Sequence, residues 1–136
     1  ANNGGEVDPA AQVNAISTEL SGFEAANELL ARGVQFDAIV AASDLIAIGA
    51  MRALQSRGVD VPRKVSIVGF DDIPAASLTN PPLTTVMQDT RRAGEVLVET
   101  LLHLITEQHA EGTVLPAKLV VRRSCGAAPA AIAARR

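Results

Sequence analysis

The sequence predicts an α/β domain built on a largely parallel sheet with flanking helices. Three observations carry this. Short continuous apolar runs recur along the chain. Stretches with helical apolar spacing separate them. Gly and Pro mark the changes from one to the other. The 136 residues amount to about one domain. Hydrophobic residues make up 48% and charged residues 20%, with a net charge of −3, which is a globular composition. Aromatic residues are only 2%, so the core must be aliphatic and rich in Ala, which supplies 24 of the 136 residues.

The elements follow in order. Residues 1–16 read as a polar, partly disordered lead-in. Ser21 stands three residues before Glu24, a capping-box spacing. Phe23, Ala26, Leu29 and Leu30 then recur at helical spacing until Gly33. Asp37–Ala42 is a short apolar run, as expected for a strand buried on both faces. Asp44–Arg57 is helical in pattern and stops at Gly58. This helix has two apolar stripes, Ile46/Ala50/Ala53/Leu54 and Leu45/Ile48/Met51, so it must be covered on more than one side. The second stripe fits either a central helix or a subunit interface. Val65–Phe70 and Leu83–Met87 are further strands, after Val61-Pro62 and Pro81-Pro82. Thr90–Ile105 is a helix with Ala93, Leu97, Leu101, Leu104 and Ile105 on one stripe, and Leu119–Arg122 is a last strand. Residues 125–136 read as a flexible tail. Three helices and three or four strands make half of a doubly wound domain, or a small one.

Open α/β sheets bind ligands beyond the carboxyl ends of their strands. Two of those ends carry acids here: Ser43-Asp44 and Asp71-Asp72. On neighbouring strands, Ser43, Asp44 and Asp71 converge on one rim. Carboxylates there suit the vicinal hydroxyls of a sugar, a hard cation or proton transfer. Asp44 reads equally as a helix N-cap, and Asp72 as a turn residue.

Several function classes find little support. There is no Gly-rich phosphate loop and no nucleophile elbow. A single cysteine, Cys125, precludes an internal disulfide and reads as a small structural residue. His103 and His109 lie where a helix end favours positive charge. Arg91-Arg92 and Arg135-Arg136 are too short for a nucleic-acid patch, and no run is long enough to span a bilayer. A magnesium-dependent phosphotransfer site on Asp71-Asp72 lacks a nucleophile and a matching second acid cluster. No metal and no cofactor is expected.

Four ordered segments go further: FDAIVAASDLIAIGAMRALQSRGVDVP (Phe36–Pro62), VSIVGFDD (Val65–Asp72), PPLTTVMQD (Pro81–Asp89) and LVVRRS (Leu119–Ser124). Together they resemble the C-terminal part of the lactose-repressor (LacI/GalR) family of bacterial transcription regulators. The resemblance implies a Rossmann-like, periplasmic-binding-protein-like type I core, here incomplete. Residues 17–88 correspond to part of its C-terminal subdomain. Residues 89–124 correspond to the final helix and strand, which return to the N-terminal subdomain. The family's DNA-binding headpiece has no counterpart in this chain.

The resemblance also implies roles. In the family's N-D-x-x-A-x-G motif the Asn meets effector. Ser43 takes its place, followed by Asp44, Ala47 and Gly49. Asp71 matches the acid that meets effector hydroxyls, and Gln88 a position near the cleft. Ser17 falls where many members carry a stacking aromatic. The implied effector site is therefore Ser17, Ser43, Asp44, Asp71 and Gln88. The implied dimer interface uses Ile48, Met51, Arg52, Ala76 and Thr79. The expected protein is a cytoplasmic, homodimeric regulator that binds a sugar or related metabolite. It would reach operator DNA only through the headpiece, would not engage membranes and would not be an enzyme. A periplasmic sugar-binding receptor of a transporter is the alternative.

Overall fold

The structure is a computed structural model that describes residues 8–107, 109 and 112–127. The expectations of disorder and flexibility at the two ends fall in part on residues 1–7 and 128–136, outside the described residues; within 8–16 the lead-in forms a 3-10 turn and is held by Arg32 Nη1, which donates to Ala10 O and Gln12 O. Four strands form one sheet in the order β1 (Ala38–Val40), β2 (Ser66–Asp71), β3 (Thr84–Gln88), β4 (Ala117–Val120). The first three run parallel, and β4 is antiparallel to β3. Helices are α1 (Glu19–Ala31), α2 (Asp44–Ser56) and α3 (Thr90–Glu107), with 3-10 turns at Pro9–Ala11 and Pro74–Ser77.

Parallel neighbours need a crossover. Helix α2 supplies the one between β1 and β2, and the loop 72–83 with its 3-10 turn supplies the one between β2 and β3. The helix caps differ from the expected pattern. Thr18, not Ser21, caps α1, accepting from Ser21 N–H at 3.1 Å, and Ser21 Oγ in turn accepts from Ile16 N–H at 3.1 Å. Ser43, not Asp44, is the N-cap of α2, and Asp44 is the first residue inside the helix. The last strand lies two residues earlier than its apolar run suggested. The pairing Met87↔Lys118 and Gln88↔Ala117 fixes it, which leaves Arg122 outside the ladder.

The core lies on one face of the sheet. Ala47, Met51 and Leu54 of α2 pack with Ile67 and Leu83, closed at one end by Val61 and Val65 and covered by Ala76. On its other side α2 meets α1, where Ala50 and Ala53 pack on Ala26 and Phe23. Both apolar stripes of α2 are therefore covered within the chain. Three of the five residues expected at a dimer interface, Ile48, Met51 and Ala76, are buried core side chains. Arg52 is exposed and pairs with Glu19 at 2.9 Å, and Thr79 is half-buried.

The α1–α2 contact is unusually close. A Cβ on Gly49 would sit 2.0 Å from the Glu19 carbonyl oxygen, and one on Gly22 would sit 2.2 Å from that of Ile46. The two backbones touch with no side chain between them.

The other sheet face departs from the expectation of strands buried on both sides. Val40 is 84% exposed and Leu119 57% exposed on that face. Helix α3 also presents its apolar stripe outward, with Leu97 70% and Ile105 68% exposed.

Gly49→Ala should lower unfolding stability by about 3 kcal/mol, since backbone cannot yield as a side chain can. Gly94, on α3 with nothing near its missing Cβ, is the control: Gly94→Ala should raise stability by about 1 kcal/mol. Urea unfolding of both variants measures the contrast.

Candidate functional site

The parallel strands end along one rim. Ala41 N–H still bonds to Val68 O, so Ser43 begins α2 just past the last pairing of β1. Asp71 closes β2 opposite Met87, and Gln88 follows Met87 on β3. Ser43, Asp71 and Gln88 thus stand on three adjacent strand ends. Ser17 joins them from the segment before α1, its Oγ donating to Ser43 Oγ at 2.7 Å. Ser43 is buried beneath that contact and also accepts from Ile46 N–H, whereas Ser17 is exposed.

Asp71 is the exposed acid of the rim. Gln88 Nε2 donates to its Oδ1 at 3.2 Å. The backbone at Asp71 has φ 114° and at Asp72 φ 54°. Two consecutive non-Gly residues in the left-handed region cost on the order of 1–3 kcal/mol each, and such strain persists only where the surroundings impose it. The chain therefore leaves the carboxyl end of β2 through left-handed backbone, beside the Asp71 side chain.

Asp44 lies beneath the rim, not on it. Its side chain has no exposed surface. Oδ1 accepts from Thr85 Oγ1 at 2.6 Å and Oδ2 from Ile73 N–H at 2.9 Å. Its place in the first turn of α2 adds the favourable helix-end field. Room for it exists because position 69 is Gly: a Cβ there would meet Asp44 Oδ1 at 2.2 Å. With both oxygens engaged inside the protein, Asp44 has no atom for a ligand.

Asp72, expected as a turn residue, lies just past β2 in left-handed backbone, and it has a partner. Arg122 Nη2 donates to Asp72 Oδ1 at 2.6 Å, with the two side chains only 20% and 16% exposed. Arg122 Nη1 also donates to Leu83 O at 2.8 Å. Neither Thr85 nor Arg122 was singled out in the sequence for this network. The available signal was a buried acid in need of donors, with two Thr on an apolar strand. Asp89, next to Gln88, accepts from Arg92 N–H at 2.9 Å and steadies the start of α3. The Arg92 guanidinium is held above its ordinary range, first by its hydrogen bond to Glu95 and then by the charge of Glu99.

Among the described residues no cluster of acids, His or Cys is arranged to hold a metal ion. No helix among the described residues is long and apolar enough to cross a membrane. A cavity of about 350 Å³ lies between the lead-in, α1 and β1, lined by residues such as Val13, Leu29 and Phe36; it contains none of the rim residues.

Residues 4–125 match the periplasmic binding protein-like domain family. The lactose operon repressor of Rhizobium radiobacter is 38% identical over 105 residues, covering 76% of this chain and 93% of that one. The chain belongs to the LacI-type branch of this domain family. The transcriptional regulator MalR of Streptomyces coelicolor is 45% identical over 111 residues, covering 79% of this chain and 31% of that protein. The structure of the transcriptional regulator CelR with cellobiose superposes with a TM-score of 0.80 at 38% identity, over 88% of this chain and 37% of that one. This LacI-type chain thus spans about a third of MalR and of CelR. The likeness to CelR confirms the expected fold class, a mixed α/β sheet of the periplasmic-binding-protein type.

Removing the buried acid and altering the exposed one should separate cleanly. Asp44→Ala should cost about 3 kcal/mol of unfolding free energy, because Ile73 N–H and the Thr85 hydroxyl lose their acceptor. Asp71→Asn keeps a residue type tolerant of positive φ and should change stability by less than about 0.5 kcal/mol. Equal losses in a denaturant titration would contradict this division.

Proposed function

We propose that this chain is the ligand-sensing part of a LacI-type transcription regulator. It takes a sugar or related polyhydroxylated metabolite at the rim formed by Ser17, Ser43, Asp71 and Gln88. The observation that carries this reading is the exposed Asp71 carboxylate, set on left-handed backbone at the carboxyl ends of parallel strands, with the Gln88 amide beside it. A carboxylate there accepts from paired hydroxyls in set directions. Gln88 can donate and accept, and Ser17 adds a hydroxyl. Ser43 supports Ser17 from below.

The ligand acts by binding one arrangement of the whole protein better than another, and so changes its affinity for operator DNA through a headpiece outside this chain. No bond is made or broken. The coupling is reciprocal, so operator must alter ligand affinity by the same factor. The protein works in the cytoplasm as a homodimer. The α2 surface around Arg52 and the loop bearing Thr79 form its interface, where Leu78 is 83% exposed. Residues 17–88 form part of one subdomain. The outward apolar stripe of α3 supports its return to the other, whereas β4 and the segment to Ser124, expected to go with it, pair with β3 and β2 in the first.

The test is a thermal-shift panel of neutral mono- and disaccharides, cellobiose included, on the intact protein. At least one sugar should raise the melting temperature. Asp71→Asn should then weaken its binding by roughly 10- to 100-fold, the worth of a charge-assisted hydrogen bond. No response to any sugar, or unchanged affinity in Asp71→Asn, refutes the site. Sedimentation of Leu78→Asp tests the interface: the expected outcome is a shift from dimer to monomer.

A further inference from the structure

We infer that Arg122 is a positioning residue for the ligand rim. Through its ion pair with Asp72 it holds the neighbouring Asp71 carboxylate in its binding orientation, and it ties the segment after β4 to that rim. This rests on the reading of Asp71 given above.

The network is specific. Asp71 and Asp72 both have left-handed backbone, a conformation that relaxes unless something holds it. What holds it comes from two directions. From the sheet, Thr85 Oγ1 lies 3.4 Å from Asp72 N and donates to Asp44, which accepts Ile73 N–H. From the end of the fold, Arg122 grips the Asp72 carboxylate at 2.6 Å. Arg122 is itself well anchored. Its backbone N–H donates to Thr84 Oγ1 at 2.8 Å and its Nη1 to Leu83 O at 2.8 Å. Two residues later, Ser124 is fully buried, donating to Ile67 O at 2.6 Å and accepting from Thr84 N–H at 2.8 Å. The guanidinium therefore projects from a fixed base. A planar fork on a mostly buried carboxylate is a directional contact, and a Lys reproduces its charge but not its geometry.

The experiment compares Arg122→Met, Arg122→Lys, Asp72→Asn and the Arg122→Met/Asp72→Asn double variant in the intact protein, with Asp71→Asn as reference. Residue-resolved amide exchange reads the turn, and calorimetric titration with cellobiose reads the rim. Arg122→Met and Asp72→Asn should each speed exchange at Asp72 and Ile73 by roughly ten-fold, the worth of one charge-assisted hydrogen bond. The double variant should add little to either. Arg122→Lys should recover part of the effect. Cellobiose affinity should fall in step with the turn's exchange.

A uniform rise in exchange across the sheet, with no local excess at 72–73, would overturn the inference and leave Arg122 a plain stabilising residue. So would additive effects in the double variant. Lost affinity in Asp71→Asn with unchanged affinity in Arg122→Met overturns the positioning role and spares the site. Unchanged affinity in Asp71→Asn removes the site, and Arg122's part in binding with it. If cellobiose does not bind the unaltered protein, the exchange comparison decides alone whether Arg122 holds the turn.

Discussion

A carboxylate shut away from water must be met by donors, and Asp44 organises the molecule through that requirement. Its two oxygens draw in the Thr85 hydroxyl from β3 and the Ile73 backbone from the loop after β2, while its own backbone begins α2. Three elements distant in sequence are thereby registered against one another at the strand ends. Gly69 leaves the space, and the sheet can place Thr85 beside it because the two are partners in the β2–β3 ladder. A weaker arrangement would leave the rim to loop motion. Here the exposed acid, Asp71, stands on a base set by a buried one.

The second constraint is the contact of α1 with α2. With glycine on both sides, the helices approach until backbone touches backbone. This brings the segment before α1 close enough for Ser17 to reach Ser43. The same contact covers Ala50 and Ala53 of the first stripe of α2, while Ile48 and Met51 of the second join the sheet core. Packing and site geometry are thus linked: the separation of two helices decides whether a hydroxyl on one segment can join a rim made by three strands.

Much of this was legible in the sequence. Apolar runs and their punctuation placed every strand and helix to within a few residues, and Ser43 and Asp71 were found together from their positions after strands. What was not legible depended on long-range partners. Asp44 reads alike as cap, ligand contact or buried hub until Thr85 and Gly69 are seen around it. The two stripes of α2 suggested another subunit because Gly22, which lets α1 cover Ala50 and Ala53 while Ile48 and Met51 turn to the sheet core, has no apolar signal of its own. Thr18 took the cap from Ser21 because Ser21 Oγ is turned back to Ile16 N–H. The exposed face of the sheet shows why a run such as DAIVAA is ambiguous. It records how much burial a strand can accept, not how much this chain provides.

The left-handed pair at Asp71 and Asp72 bears on how such a site can diversify. Backbone of that kind admits Asp, Asn or Gly far more readily than branched or bulky residues. The central chemistry of the rim is therefore confined to a short alphabet. Gln88 stands at the end of a regular strand, where any side chain fits the backbone. Ser17 is exposed and held by a single side-chain bond. A lineage changing its ligand would find its freedom at the margins of the site, while the acid at the centre stayed the same.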